Sequence, residues 1–151
     1  MAQKKEIIST IDMLIETLKD GQEGFKQAAE AVKNGQLRAV FTEFSQQRAR
    51  FAKELQSQAE SLGDTRPEDS SSASGALHRA WIGLRSAISG GDEHAVLAEC
   101  ERGEDSAVDE YKKALEDDLS PSLREIVSRQ YRDVQAAHDQ IKNLRDTGKT
   151  S

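Results

Sequence analysis

At 151 residues, with 32% charged and 5% aromatic side chains and a net charge of −6, the chain has the length of one domain with a real core and the composition of a soluble, helix-rich protein. No apolar run approaches the ~20 residues of a membrane-spanning helix, and the one cysteine, Cys100, excludes an intrachain disulfide and leaves no Cys/His cluster for structural zinc. The N-terminal MAQKKEIISTIDMLIETL is broken by acids and has neither a secretory apolar core nor a small-residue cleavage site, so the chain reads as cytoplasmic.

The first predicted helix spans 4–33, on the stripe Ile7, Ile8, Ile11, Leu14, Ile15, Leu18, Phe25, Ala28, Ala29 and Val32. The DGQEG segment inside it permits a kink, but the helical phase continues across it. Asn34-Gly35 ends this helix, with Gly35 suited to a left-handed cap. The second helix, 36–62, carries Leu37, Val40, Phe41, Phe44, Phe51, Leu55, Ala59 and Leu62, and Gly63 stops it. So short a connection makes the two an antiparallel hairpin. Residues 64–75, DTRPEDSSSASG, read as an exposed linker. A shorter helix over 76–89 follows, with Trp81 as its anchor, and Gly90-Gly91 breaks it. Asp92 caps the third long helix, 92–117. Ser120-Pro121 opens the fourth, which runs to 145 on Leu123, Ile126, Val127, Tyr131, Val134, Ala137, Ile141 and Leu144. Residues 146–151 form a frayed tail. Phe44, Phe51, Trp81, Val108, Tyr131 and Ile141 are the expected core.

Charge is unevenly spread. Residues 1–62 hold 9 acids and 9 bases, whereas 92–118 hold 11 acids and 3 bases. The acidic stripe argues against nucleic acid, which attracts clustered Lys and Arg. It is either a solvated helix face or a cation-attracting surface.

Each apolar stripe is interrupted by polar side chains: Gln22, Arg48, Glu101 with Glu104, and His138. Glu101 and Glu104 are three apart and share a face. A buried carboxylate needs a cation, a proton or a metal, unless it lies at a wet rim. Arg48, on the ridge Phe41, Phe44, Phe51 and Leu55, is either their partner or a stem whose guanidinium reaches solvent. His138 continues the ridge of Tyr131, Val134 and Ile141, either as a hydrogen-bonded core residue or as a ligand. Gln135 stands three residues before it. His78, Arg79 and Trp81 form a small polar-aromatic group in the crossover. Cys100 reads as a core residue, because no His at helical spacing activates it. There is no GxSxG, phosphate-binding glycine loop or HExxH.

The segments LIETLKDGQEGFKQAAEAV, FTEFSQQRARFAKELQ, SGALHRAWIGLRSAISGGDEHAVLAECERGEDSAVDEYKKAL and RQYRDVQAAHDQI resemble a bacterial family of uncharacterised four-helix-bundle proteins placed within the ferritin-like superfamily. The HRAW and ECERGED strings are the most specific parts. The resemblance implies an all-α, ferritin-like four-helix bundle, in which the long crossover holds the extra short helix. It carries no established activity.

The wider superfamily often holds a di-iron site, built from a Glu on each of two helices and Glu-x-x-His on each of the other two. Set against that pattern, the chain keeps Glu104 and His138, with Gln135 in a Glu position. Arg48 and Phe51 stand where Glu and His would be. Gln22 is in phase on the first helix, with Glu23 one position off. The expectation is a degenerate bundle with a non-enzymatic stress or interaction role. Its buried polar network would be Gln22, Arg48, Glu101, Glu104, Gln135 and His138, and no cofactor is expected. The alternative is a di-iron or other divalent-metal protein using Glu101, Glu104, His138 and Glu23. No nucleic acid and no membrane are expected as partners, and a homo-oligomer is left open.

Overall fold

The local signals of the sequence set where each helix begins and ends. In the computed structural model, which describes residues 4–63 and 81–148, five helices are seen and no strand occurs among the described residues. They are α1 (Lys4–Ala31), α2 (Gly35–Ser61), α3 (Leu84–Gly90), α4 (Glu93–Leu115) and α5 (Pro121–Gly148). The expected linker 64–75 and the first residues of the expected crossover helix, including His78 and Arg79, lie outside the described residues.

The turn between α1 and α2 differs from expectation. Gly35 has no positive φ and opens α2. Asn34 is the cap, and its side-chain oxygen accepts from the amides of Gln36 at 2.9 Å and Leu37 at 3.1 Å. A side-chain acceptor on the orphan amides does here what a left-handed glycine would have done for the preceding carbonyls. Those carbonyls are met instead by Arg38, which donates to Ala29 O at 3.2 Å and Val32 O at 2.9 Å.

Gly91, at φ 70°, does adopt the left-handed conformation that ends α3, and Asp92 caps α4 through His94 N at 3.0 Å. Arg124 closes the other end of α4 by donating to Leu115 O and Asp117 O at 2.9 and 2.7 Å. Ser120 accepts from Leu123 N at 3.3 Å, with Pro121 as the first residue of α5. Helix α5 continues past Arg145 to Gly148, where a frayed tail was expected from residue 146.

α1 packs against α2 and α4, α4 packs against α5, and α3 lies on α4 and α1. The apolar stripes converge in two clusters. One holds Ile11, Leu14, Leu18, Phe51, Leu55, Tyr111 and Val134, and the other Phe25, Val32, Phe41, Phe44, Cys100 and Ile141. On α1 the changeover falls between Leu18 and Phe25, on α2 between Phe44 and Phe51, and on α4 between Cys100 and Ala107. Gly21, Arg48 and Glu104 occupy those gaps. The polar residues therefore form one layer across the waist of the bundle.

The DGQEG segment is unbroken helix, and its glycines serve close approach. A methyl group at Gly24, or at Gly103 on α4, would overlap the Trp81 indole. Trp81 thus sits in a seat of two glycines, edge-on to Phe25 with ring centroids 5.2 Å apart. It is half-buried, as are Val108 and Tyr131, while Phe44, Phe51 and Ile141 are buried.

Candidate functional site

The waist layer is built from a residue on each of three helices. Arg48 projects from α2 past Gly21 of α1, where an added methyl would lie 3.6 Å from its Cγ. Glu104 comes from α4 to meet it. Arg48 NH2 donates to Glu104 Oε2 at 2.8 Å and NH1 donates to Oε1, a bidentate fork in which each side chain is at most 1% exposed. Arg48 Nε donates to Gln47 Oε1 at 3.2 Å, and the guanidinium carbon lies 5.4 Å from the centroid of the Phe25 ring. Burial acts to lower the Arg48 pKa, but the charge and hydrogen bonds of Glu104 outweigh it and hold it above the ordinary arginine value.

The other residues expected in this network stand elsewhere. Gln22 is half-buried, and its backbone carbonyl accepts from Ser45 Oγ at 2.9 Å. Gln135 is exposed, because the buried stripe of α5 runs through Val134, Ala137 and Ile141 and passes to the other side of it. Glu101 is an off-ridge neighbour of Cys100 and Glu104, and it turns to Arg145 of α5 at 2.9 Å. His138 is 19% exposed at its side chain and faces Asp105, with Nε2 2.6 Å from Oδ1. Its Nδ1 lies 3.2 Å from Asp139 Oδ1. Burial would lower the His138 pKa, but hydrogen bonds with Asp139 and Asp105 more than offset it, leaving it raised. Glu23 is exposed, accepts from Gln27 at 3.1 Å, and borders a surface hollow with Trp81 and Arg85. Of the alternative metal set, Glu104 is held by Arg48 and Glu23 stands on α1 beside Trp81. Glu101 and His138 are joined instead by Asp105.

A second polar chain was missed in the sequence. Tyr111 and Gln130 are both 0% exposed, and the Tyr111 hydroxyl donates to Gln130 Oε1 at 2.7 Å. Gln130 Nε2 donates to Glu54 Oε1 at 2.8 Å, and Arg129 NH2 pairs with Glu54 Oε2 at 2.6 Å. The chain runs from core to surface across the seam of α2 and α5. Burial pushes the Tyr111 phenol up, so it remains a neutral donor. The signal was available: Gln130 lies in phase with Val127 and Val134. Glu16, Thr17 and Asp20, which form a second buried ridge on α1, were also not anticipated. Cys100 is fully buried, and burial, reinforced by Glu104 and Glu99, raises its thiol pKa well above the ordinary value. That is the environment of an inert core thiol.

Chemically, the waist is closed. Glu104 has both oxygens on a permanently charged fork, which leaves it neither a free base nor a free ligand. No described helix of the bundle is long and apolar enough to cross a membrane. A comparison with curated proteins finds no match. The sequence does match a family described as a domain of unknown function over residues 6–117, which takes in α1 to α4 with Arg48 and Glu104 and stops short of α5. With about three quarters of its length matched, the chain belongs to that family, DUF2383.

Proposed function

We propose that the protein is a bacterial, cytoplasmic, ferritin-like bundle in which an Arg–Glu ion pair takes the place of a central di-metal site, and that it acts without catalysis, through its surfaces, in a stress or interaction role. The observation that carries this reading is the bidentate Arg48–Glu104 pair at the waist. A di-iron centre in such a bundle needs inward Glu residues on two helices and Glu-x-x-His on the other two. Here α2 offers a guanidinium and Phe51, α5 turns Gln135 outward and His138 toward Asp105, and Glu104 is occupied. A positive guanidinium repels a metal ion, so the residues present do not fit the group. The competing reading, a metal protein using Glu101, Glu104, His138 and Glu23, has less support because Glu104 is held by Arg48 and Glu23 stands on α1 beside Trp81.

The test is iron content by mass spectrometry on untagged protein, followed by anomalous scattering from crystals grown with ferrous iron. The expected result is no anomalous peak between α2 and α4. A peak beside Glu104, with Arg48 displaced, would overturn the proposal.

A further inference from the structure

We propose that the face formed by α4 and α5 carries a divalent transition-metal site made of Glu101, Asp105 and His138. The site lies apart from the waist and does not depend on the functional reading given above.

Three features support it. The first is convergence. Glu101 and Asp105 are four residues apart on α4 and therefore share a face, and His138 reaches across from α5. One ligand atom from each lies within 4.8 Å of the other two. Donors bound at about 2.0–2.2 Å to a common ion lie about 3–3.5 Å apart, so small side-chain rotations close the set.

The second is the state of the imidazole. A neutral histidine has one N–H to donate, yet His138 has a carboxylate oxygen at each ring nitrogen, at 2.6 and 3.2 Å. In the tautomer that gives the Nδ1 proton to Asp139, the Nε2 lone pair faces Asp105, the direction in which a shared ion would sit. An outer carboxylate on one nitrogen and the metal on the other is the arrangement that fixes histidine ligands elsewhere. Asp139 supplies that outer carboxylate.

The third is charge and an unmet acceptor. Three carboxylates, Glu101, Asp105 and Asp139, gather at the site, and the guanidinium of Arg145 is paired with Glu101 and also with Asp146. Arg145 Nε lies 2.9 Å from Glu101 Oε1, but the angle does not make a hydrogen bond, and that solvent-shielded oxygen has no other hydrogen-bond partner. Mixed carboxylate and imidazole donors suit zinc, cobalt, nickel or manganese better than the all-oxygen preference of calcium or magnesium. Water would complete the coordination.

The test is calorimetric titration of the metal-stripped full chain with zinc chloride. One saturable site is expected. His138→Gln and Asp105→Asn should each weaken binding at least about tenfold, and Asp139→Asn about tenfold through loss of the outer carboxylate. Arg145→Gln should tighten binding by removing the competing cation, and Asp109→Asn, elsewhere on α4, should leave it unchanged. Helicity by circular dichroism shows that each variant is folded. Because Asp139 and Arg145 are not ligands, their opposite effects test the site even where a ligand variant unfolds. No saturable binding, or equal binding by His138→Gln and Asp105→Asn, overturns the proposal and leaves the waist reading intact. Binding that survives those two substitutions but disappears in the double variant Arg48→Met/Glu104→Gln would place the ion at the waist and overturn both.

Discussion

Replacing Arg48 by Met removes the positive half of the waist pair while keeping a side chain of similar length. Glu104 would be left at 0% exposure with neither of its forked hydrogen bonds. Breaking a buried ion pair from one side costs about 3–5 kcal/mol, because the remaining charge is neither solvated nor paired. That figure is for the whole truncation, so it already covers the lost stack on Phe25 and the lost bond to Gln47. Arg48→Met should therefore lose about 3–5 kcal/mol in urea denaturation followed by circular dichroism, a large part of the ~5–15 kcal/mol typical of a domain. Glu104→Gln made in the Arg48→Met background should recover part of that loss, since it removes the stranded charge. The two substitutions should then couple by at least about 0.5 kcal/mol. A loss under about 1 kcal/mol, the size expected of an exposed pair, or strict additivity, would refute the buried network.

The two glycines under Trp81 make a second test. Gly24→Ala or Gly103→Ala must displace the indole, which should cost about 1–3 kcal/mol and shift the single tryptophan's emission to the red. Gly21→Ala is the internal control, because its methyl meets Arg48 at ordinary contact distance and should stabilise α1 by about 0.5–1 kcal/mol. The seam of α2 and α5 gives a pH test. The hydrogen bond from Arg129, with Gln130 in support, holds the Glu54 carboxyl below its ordinary value against the opposing effect of burial. A depressed carboxyl contributes stability above its unfolded value and loses it as pH falls through the folded one, so the loss falls below about pH 4. Glu54→Gln should flatten that acid limb by under about 1 kcal/mol, given how open the pair is to solvent, and an unchanged limb in denaturation from pH 5 to 2 would refute it.

The helices were legible because their punctuation is chemical: Asp92, Ser120-Pro121 and Gly91 act at the positions their side chains predict. The polar interior was legible only in part, because one residue turns a helix by about 100°. Glu104 shares the buried side of α4 with Cys100, Ala107 and Tyr111, whereas Glu101 lies on its edge with Val108 and Leu115. In the sequence the two, three residues apart, share a face, and only packing shows that Glu104 is the buried one. Gln135 fails for the same reason, one step from Val134. Gln130 was missed for the opposite reason, since an amide in a stripe draws less notice than a charge. Asp105 and Arg145 could not be read as one cluster from spacing alone, because they meet across two helices.

The waist pair also bears on why the bundle has one register. Removing two charges from water is costly, and apolar replacements of buried ion pairs are often neutral or stabilising by about 1–4 kcal/mol. Arg48 and Glu104 are therefore poor devices for stability alone. They are placed, however, between two apolar clusters that would otherwise form one continuous stripe. Sliding α2 by one turn against α4 would carry Arg48 away from Glu104, toward the apolar Leu97 and Cys100 or toward Ala107 and Tyr111, and would strand Glu104. An all-apolar waist removes that penalty. The double variant Arg48→Met/Glu104→Leu should accordingly match or exceed the parent in urea. It should also broaden the methyl and amide resonances of α2 and α4 as alternative registers become populated. A double variant as stable as the parent, with equally sharp and dispersed spectra, would mean that side-chain packing and the glycine seat of Trp81 set the register without help from the ion pair.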